Sequence, residues 1–199
     1  MKLSLTQMPE LKEAIIELSQ KEKDKLLIRL INKDQMLIKQ MHYKLLENND
    51  DLRARTAELN DRIIESFKIL EKQIARANDI KKYDVMNVHI RQLSGMVNEH
   101  ASITKDKVSE LELRLEIIYQ CFNNFSALYF LDYPNKSADK HFDYITARIN
   151  SILAIYDKLH PDLQFDNKEK LLFILESASN TSISKVFKEK CMDFSTYYE

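Results

Sequence analysis

Residues that form tight turns are scarce in this sequence. Its 199 residues include one glycine, Gly95, and three prolines, Pro9, Pro134 and Pro161. β-Hairpins depend on such residues at fixed positions, so the composition argues against a β-sandwich or a β-barrel. A glycine-rich phosphate loop and a dinucleotide-binding fingerprint each need several glycines close together, and neither is present.

Apolar residues recur at helical spacing along the whole chain, and no segment shows the alternation typical of a half-buried strand. The apolar fraction of 44 % and the charged fraction of 31 % are typical of a globular protein with a real core. We therefore predict an all-α protein, a bundle of long amphipathic helices preceded by a short-helix N-terminal region.

The pattern divides the chain into three regions. Residues 1–48 read as three short helices, one of which starts at the capping-box pair Ser19 and Glu22. Residues 51–160 carry the longer amphipathic patterns and are predicted to form the long-helix bundle. Residues 161–199 are predicted to be a helical C-terminal region that packs on this bundle.

The segment 51–99 carries one narrow apolar seam in which residues recur every three or four positions, as in a coiled coil. The sequence leaves open whether this segment is one helix or two, with a break at Asn78 or an end near Gly95 as the alternatives. If the seam is longer than the helices that cover it, the uncovered part is a site for a partner. The candidate interaction seam consists of Leu59, Ile63, Phe67, Leu70 and Ile74. On this hypothesis, Ile63→Asp or Phe67→Asp breaks an oligomer and leaves the helices largely intact.

The charge balance argues against a nucleic-acid-binding surface. The formal net charge is −1, and no region is strongly basic. The best candidate for such a surface is the set of basic residues on the long-helix segment, but four acids are interleaved with them, and Arg62 can pair with Glu58 or Glu65 at helical spacing. The basic residues are Arg53, Arg55, Arg62, Lys68, Lys72 and Arg76, and the acids are Glu58, Asp61, Glu65 and Glu71.

No catalytic, cofactor-binding or metal-ligating constellation stands out. None of the five histidines has the spacing of a zinc protease or of a ferritin-like carboxylate site. The alternative is a Mg²⁺-dependent all-helical nucleotide hydrolase that uses Glu10 with Glu13 and Glu47 with Asp50. These acids also suit helix ends, where they interact favourably with the helix dipole or cap the chain.

The aromatic residues could line a pocket, although their helical spacing is more typical of a packed core. They are Tyr119, Phe122, Phe125, Tyr129, Phe130, Tyr133, Phe142, Tyr144 and Tyr156.

Two cysteines, Cys121 and Cys191, lie far apart in helical patterns, and the start of the sequence lacks the apolar stretch of a signal peptide. No segment approaches the roughly 18 uncharged residues of a membrane-spanning helix. We therefore predict a cytoplasmic protein with reduced cysteines, no cofactor and no membrane contact. The function that these observations favour is a non-enzymatic protein–protein interaction or scaffold module, with a protein partner or self-association.

Overall fold

The computed structural model describes residues 4–130 and 135–198, and these residues contain nine α-helices, three short 3-10 helices and no strand. The prediction of an all-α helical bundle is confirmed. The helices are α1 (Pro9–Glu17), α2 (Gln20–Ile31), α3 (Gln35–Leu46), α4 (Asn49–Arg76), α5 (Asp79–Thr104), α6 (Lys107–Phe125), α7 (Lys136–Tyr156), α8 (Pro161–Ser179) and α9 (Ile183–Glu189). None of them, within the described residues, has an apolar stretch long enough to cross a membrane.

The chain divides into two compact units, Met1–Glu47 and Asn48–Glu199. We call the first the N-terminal unit and the second the bundle unit. The C-terminal helices belong to the bundle unit, because α8 packs on α6 and α9 packs on α7 and α8.

The N-terminal unit owes its helices to local signals. Pro9 opens α1, where its fixed φ suits the first helical turn. The capping box of Ser19 and Glu22 opens α2, and the Asp34 side chain accepts hydrogen bonds from the first amides of α3. Substantial contact between helices of this unit is confined to α2 with α3, and α1 chiefly contacts the 3-10 helix that precedes it. None of the described residues of this unit is buried.

The bundle unit is built around α6, which contacts α4, α5, α7 and α8. Apolar side chains at every second position of this helix are at most 2 % exposed. Since a step of two residues turns an α-helix by about 200°, burial at this spacing means that opposite faces of α6 are covered. These residues are Leu111, Leu113, Leu115 and Ile117.

The segment 51–99 forms two helices rather than one, with the break at the first of the two predicted positions. Ala77 and Asn78 have extended ψ angles of 146° and 160°, and the Asn78 side chain accepts a hydrogen bond from the Lys81 amide to cap α5. The chain then folds back, so that α5 lies along α4. Gly95 is exposed within α5, which continues past it to Thr104.

An ion pair joins α8 to the central helix. The Lys170 ammonium lies 2.6 Å from the Glu116 carboxylate, whose side chain is nearly buried. Lys170 also lies over the Tyr119 ring, 5.5 Å from its centroid. Partial burial makes such a pair more persistent than a fully exposed one, because water screens it less.

Candidate interaction surface

The candidate interaction seam lies in the core of the bundle unit. Ile63, Phe67, Leu70 and Ile74 are between 0 and 7 % exposed, and the half-buried Leu59 packs against the same core. The Phe67 ring lies 5.6 Å from the ring of His89 on α5. Within the folded chain this part of the seam is covered, because the turn at Asn78 brings α5 onto α4 and α6 also packs on α4.

The exposed apolar residues are concentrated in the N-terminal unit instead. Of the sixteen large apolar side chains that are exposed among the described residues, ten lie within the first 47 positions. This surface, which we call the N-terminal apolar surface, consists of Leu5, Met8, Leu11, Ile16, Leu27, Ile28, Leu30, Ile38, Leu45 and Leu46.

Two adjacent leucines form the most exposed part of this surface. Leu45 and Leu46 close α3 and are 71 % and 73 % exposed. Beside them the Glu47 carboxylate contacts Nδ1 of His42 at 3.0 Å across the last turn of the helix. The helix end is thus held by its own polar side chains, and the two leucines remain at the surface.

The four acids of the alternative Mg²⁺ site lie in or beside three different helices. Glu10 and Glu13 lie in α1, Glu47 ends α3, and Asp50 opens α4 in the other unit. Across residues 4–130 and 135–198, no group of three or more His, Cys, Asp or Glu side chains is placed to hold a metal ion.

The basic residues of α4 lie next to acids on the same helix. Arg62 donates a hydrogen bond to the Glu58 carboxylate at 2.6 Å, and Lys68 donates one to Glu65 at 2.8 Å. The hydrogen bond and positive charge of Lys68 lower the pKa of Glu65. Pairs of this kind at helical spacing partly neutralise the exposed face of α4.

The sequence predicted that a set of aromatic residues lines either a pocket or a core. In the structure, some of these residues lie in the core and others lie at the surface. Most are buried and pack on one another, as Phe122 does with Tyr129 at a centroid distance of 4.7 Å. Phe130 is 60 % exposed, and Tyr133 lies outside the described residues.

A polar chain that the sequence does not reveal crosses this core. The His141 ring contacts Asn87 Oδ1 through Nδ1 at 2.9 Å and the Tyr129 hydroxyl through Nε2 at 3.1 Å. One tautomer satisfies both contacts: Nδ1–H donates to Asn87, and the Tyr129 hydroxyl donates to Nε2. The Cys121 side chain lies beside the same hydroxyl. Because His141, Tyr129 and Cys121 are fully buried, a substrate has no access to them.

Burial also determines the protonation states of His141 and Cys121. It lowers the pKa of His141 to about 3, so the imidazole is neutral at physiological pH. It raises the pKa of Cys121 to about 12, so the sulfur is a thiol and not a thiolate nucleophile. The arrangement is therefore structural, and it does not form a catalytic cysteine–histidine pair.

The two cysteines are expected to differ in reactivity. In the native protein, a thiol reagent that releases a coloured product should modify the exposed Cys191 and leave the buried Cys121 untouched. Absorbance should therefore report one rapid equivalent per chain, and two in denaturant. Two rapid equivalents from the native protein would show that the core around Tyr129 is open.

A surface groove of about 600 Å³ lies in the bundle unit between the start of α4, the start of α6 and Lys170 of α8. Arg53 and Lys170 contribute positive charge to it, and Asp106 and Glu112 contribute negative charge. Desolvation, followed by the negative charge of Asp106, raises the pKa of Glu112. The residues that line this groove include no histidine or cysteine, and the mixed charges favour no single ionic ligand.

Comparison of the chain with protein-family models, with curated proteins and with solved structures gives no match. The geometry and chemistry of its own residues are therefore the basis for proposing a function.

Proposed function

We propose that this chain is a non-enzymatic helical protein–protein interaction module that binds its partner through the N-terminal unit. The observation that carries the proposal is the imbalance between the two units. The N-terminal unit exposes ten large apolar side chains and has no buried described residue, whereas the bundle unit encloses a continuous core. Such a concentration of exposed apolar side chains is typical of a site of protein interaction.

The lengths of the N-terminal helices support the same proposal. They contain 9, 12 and 12 residues. Isolated helices shorter than about 12–15 residues are marginal in water, so helices of this size depend on packing of their apolar faces. A segment this small supplies little core of its own, and a partner that covers the N-terminal apolar surface supplies the missing burial.

Removing two leucines from this surface should abolish partner binding. We expect the double variant Leu45→Gln, Leu46→Gln to bind its partner over 100-fold more weakly, since each buried leucine contributes about 1.5 kcal/mol or more. Glutamine has nearly the same helix propensity as leucine, so α3 should persist. The measurement is affinity capture of the tagged chain from nuclease-treated, isotope-labelled lysate of its source cells, read by mass spectrometry. The isotope distinguishes copies of the chain supplied by the lysate from the bait.

The matched control is Phe165→Gln, which removes an apolar side chain that is 79 % exposed on α8 of the bundle unit. This variant should capture the same partner as the wild type. If the leucine variant and the variant Ile16→Gln, Ile28→Gln both retain every partner of the wild type, the N-terminal apolar surface is not the binding site and the proposal fails.

A further inference from the structure

We propose that the partner of the N-terminal unit is a second copy of this chain, with α1 of one copy packed against α2 of the other. The inference rests on the proposed function of this unit and names the occupant of its surface. It is carried by the opposite charges of α1 and α2 and by the absence, among the described residues, of ion pairs between these two helices within one chain.

The two helices carry opposite charge. Helix α1 contains three acids and one base, and α2 contains four bases and two acids. One of the two acids of α2, Glu22, is held in the capping box by Ser19. The acids of α1 are Glu10, Glu13 and Glu17, and the bases of α2 are Lys21, Lys23, Lys25 and Arg29.

Most of these charges follow one face of each helix. Glu10, Glu13 and Glu17 are spaced three and four residues apart, which places them in one stripe about 10 Å long. Lys21 and Arg29, with Lys25 midway between them, form a stripe about 12 Å long. We call these the acidic stripe and the basic stripe, and all six side chains are exposed.

The two stripes are neighbours in sequence but do not pair within one chain. Only Leu18 and Ser19 separate the two helices, yet no substantial contact joins α1 to α2. Among the described residues, no ion pair or hydrogen bond links a member of the acidic stripe to a member of the basic stripe.

A second copy of the chain provides a stripe of opposite charge for both the acidic stripe and the basic stripe. About a two-fold axis, the acidic stripe of each copy meets the basic stripe of the other, so the same contact is made twice. Ile16, which is 60 % exposed beside the acidic stripe, and Ile28, which is 59 % exposed beside the basic stripe, would then be shielded from water. Apolar burial supplies the affinity of such an interface, and the matched charges select the partner and its orientation.

Charge reversal tests the inference on the full chain. One variant reverses the acidic stripe (Glu10→Lys, Glu13→Lys, Glu17→Lys), and the other reverses the basic stripe (Lys21→Glu, Lys25→Glu, Arg29→Glu). Sedimentation velocity over a concentration series should show a wild-type dimer and a dissociation constant at least tenfold higher for each variant alone. An equimolar mixture of the two variants should form a heterodimer, because each then offers the stripe that the other lacks.

The mixture shows whether a variant fails to dimerise because its charge contacts are lost or because it is misfolded, since two misfolded variants would not associate with each other. The matched control reverses two exposed acids of α4 in the bundle unit, Asp61→Lys and Glu65→Lys, and should dimerise like the wild type. A wild type that stays monomeric up to about 1 mM, or variants that fail to associate in the mixture, would overturn the inference. A different result is a wild type that is monomeric and captures a different protein in a way that depends on Leu45 and Leu46. That result would overturn this inference alone and leave the proposed function standing.

Discussion

Replacing Ile63 by aspartate is expected to unfold the bundle unit. Ile63 is 0 % exposed on α4, where α5 and α6 cover it. Truncating a buried isoleucine costs about 2–5 kcal/mol, and burial of a carboxylate adds several more. Small domains are stable by about 5–15 kcal/mol in total, so a loss of at least ~5 kcal/mol leaves little of the native state. Urea denaturation followed by far-ultraviolet circular dichroism measures this loss.

Ile69→Asp provides the matched control on the same helix. Ile69 is 57 % exposed, and the substitution should change the free energy of unfolding by no more than about 0.5 kcal/mol. If Ile63→Asp instead kept the stability of the wild type and dissociated an oligomer, α4 would present its seam to a partner. That outcome would restore the hypothesis that the sequence suggested for this seam.

The seam shows what helical periodicity reports and what it leaves out. Spacing of three and four residues between Ile63, Phe67, Leu70 and Ile74 indicates that one face of a helix is covered. It does not indicate whether the cover is another chain or the next helix of the same chain. The answer depends on the break at Asn78, because this break lets the next helix fold back onto the seam. The pair of Asn78 and Asp79 indicates such a break only weakly, since the same pair also occurs on exposed helix surfaces.

The central position of α6 is indicated by the sequence of this helix itself. Leu113 and Ile117 widen the stripe of Leu111, Leu115 and Ile118, and a face this wide requires neighbours on several sides. The N-terminal apolar surface could not be predicted in the same way. The apolar residues of 1–48 have the spacing of a small core, and only the arrangement of α1 relative to α2 and α3 shows that they stay exposed.

The buried polar chain lay beyond sequence reasoning for a different reason. His141 is 54 positions from Asn87 and 12 from Tyr129, so no local spacing links the three residues. A histidine on an apolar helix face suggests a satisfied core residue but does not identify its partners. Tertiary packing alone brings these three residues together, and each buried polar group thereby gains a hydrogen-bond partner.

Acid is expected to destabilise the bundle unit through His141. Burial lowers the pKa of His141 to about 3 in the folded state, against a value of about 6.5 in the unfolded chain. The unfolded state therefore binds the proton more readily. The contribution of the neutral His141 ring to the free energy of unfolding is complete above about pH 6.5. It decreases by about 1.4 kcal/mol per pH unit as the pH falls from there towards 3. Between pH 7.5 and 5.0, the free energy of unfolding should fall by about 2 kcal/mol from His141 alone, measured by urea denaturation at each pH.

The variant His141→Gln should lose this part of the pH dependence. Burial also lowers the pKa of His89 and His100, so these rings continue to weaken the fold in acid. The control is Leu70→Ala, which costs about 2–5 kcal/mol at a fully buried position but keeps His141 and should keep the wild-type pH dependence. Proton NMR gives a second readout, because the His141 ring resonances should stay unchanged from pH 7.5 to 5.0. A His141 resonance that titrates within this range would show that protons reach the ring in the folded state, and that Asn87 and Tyr129 do not enclose it.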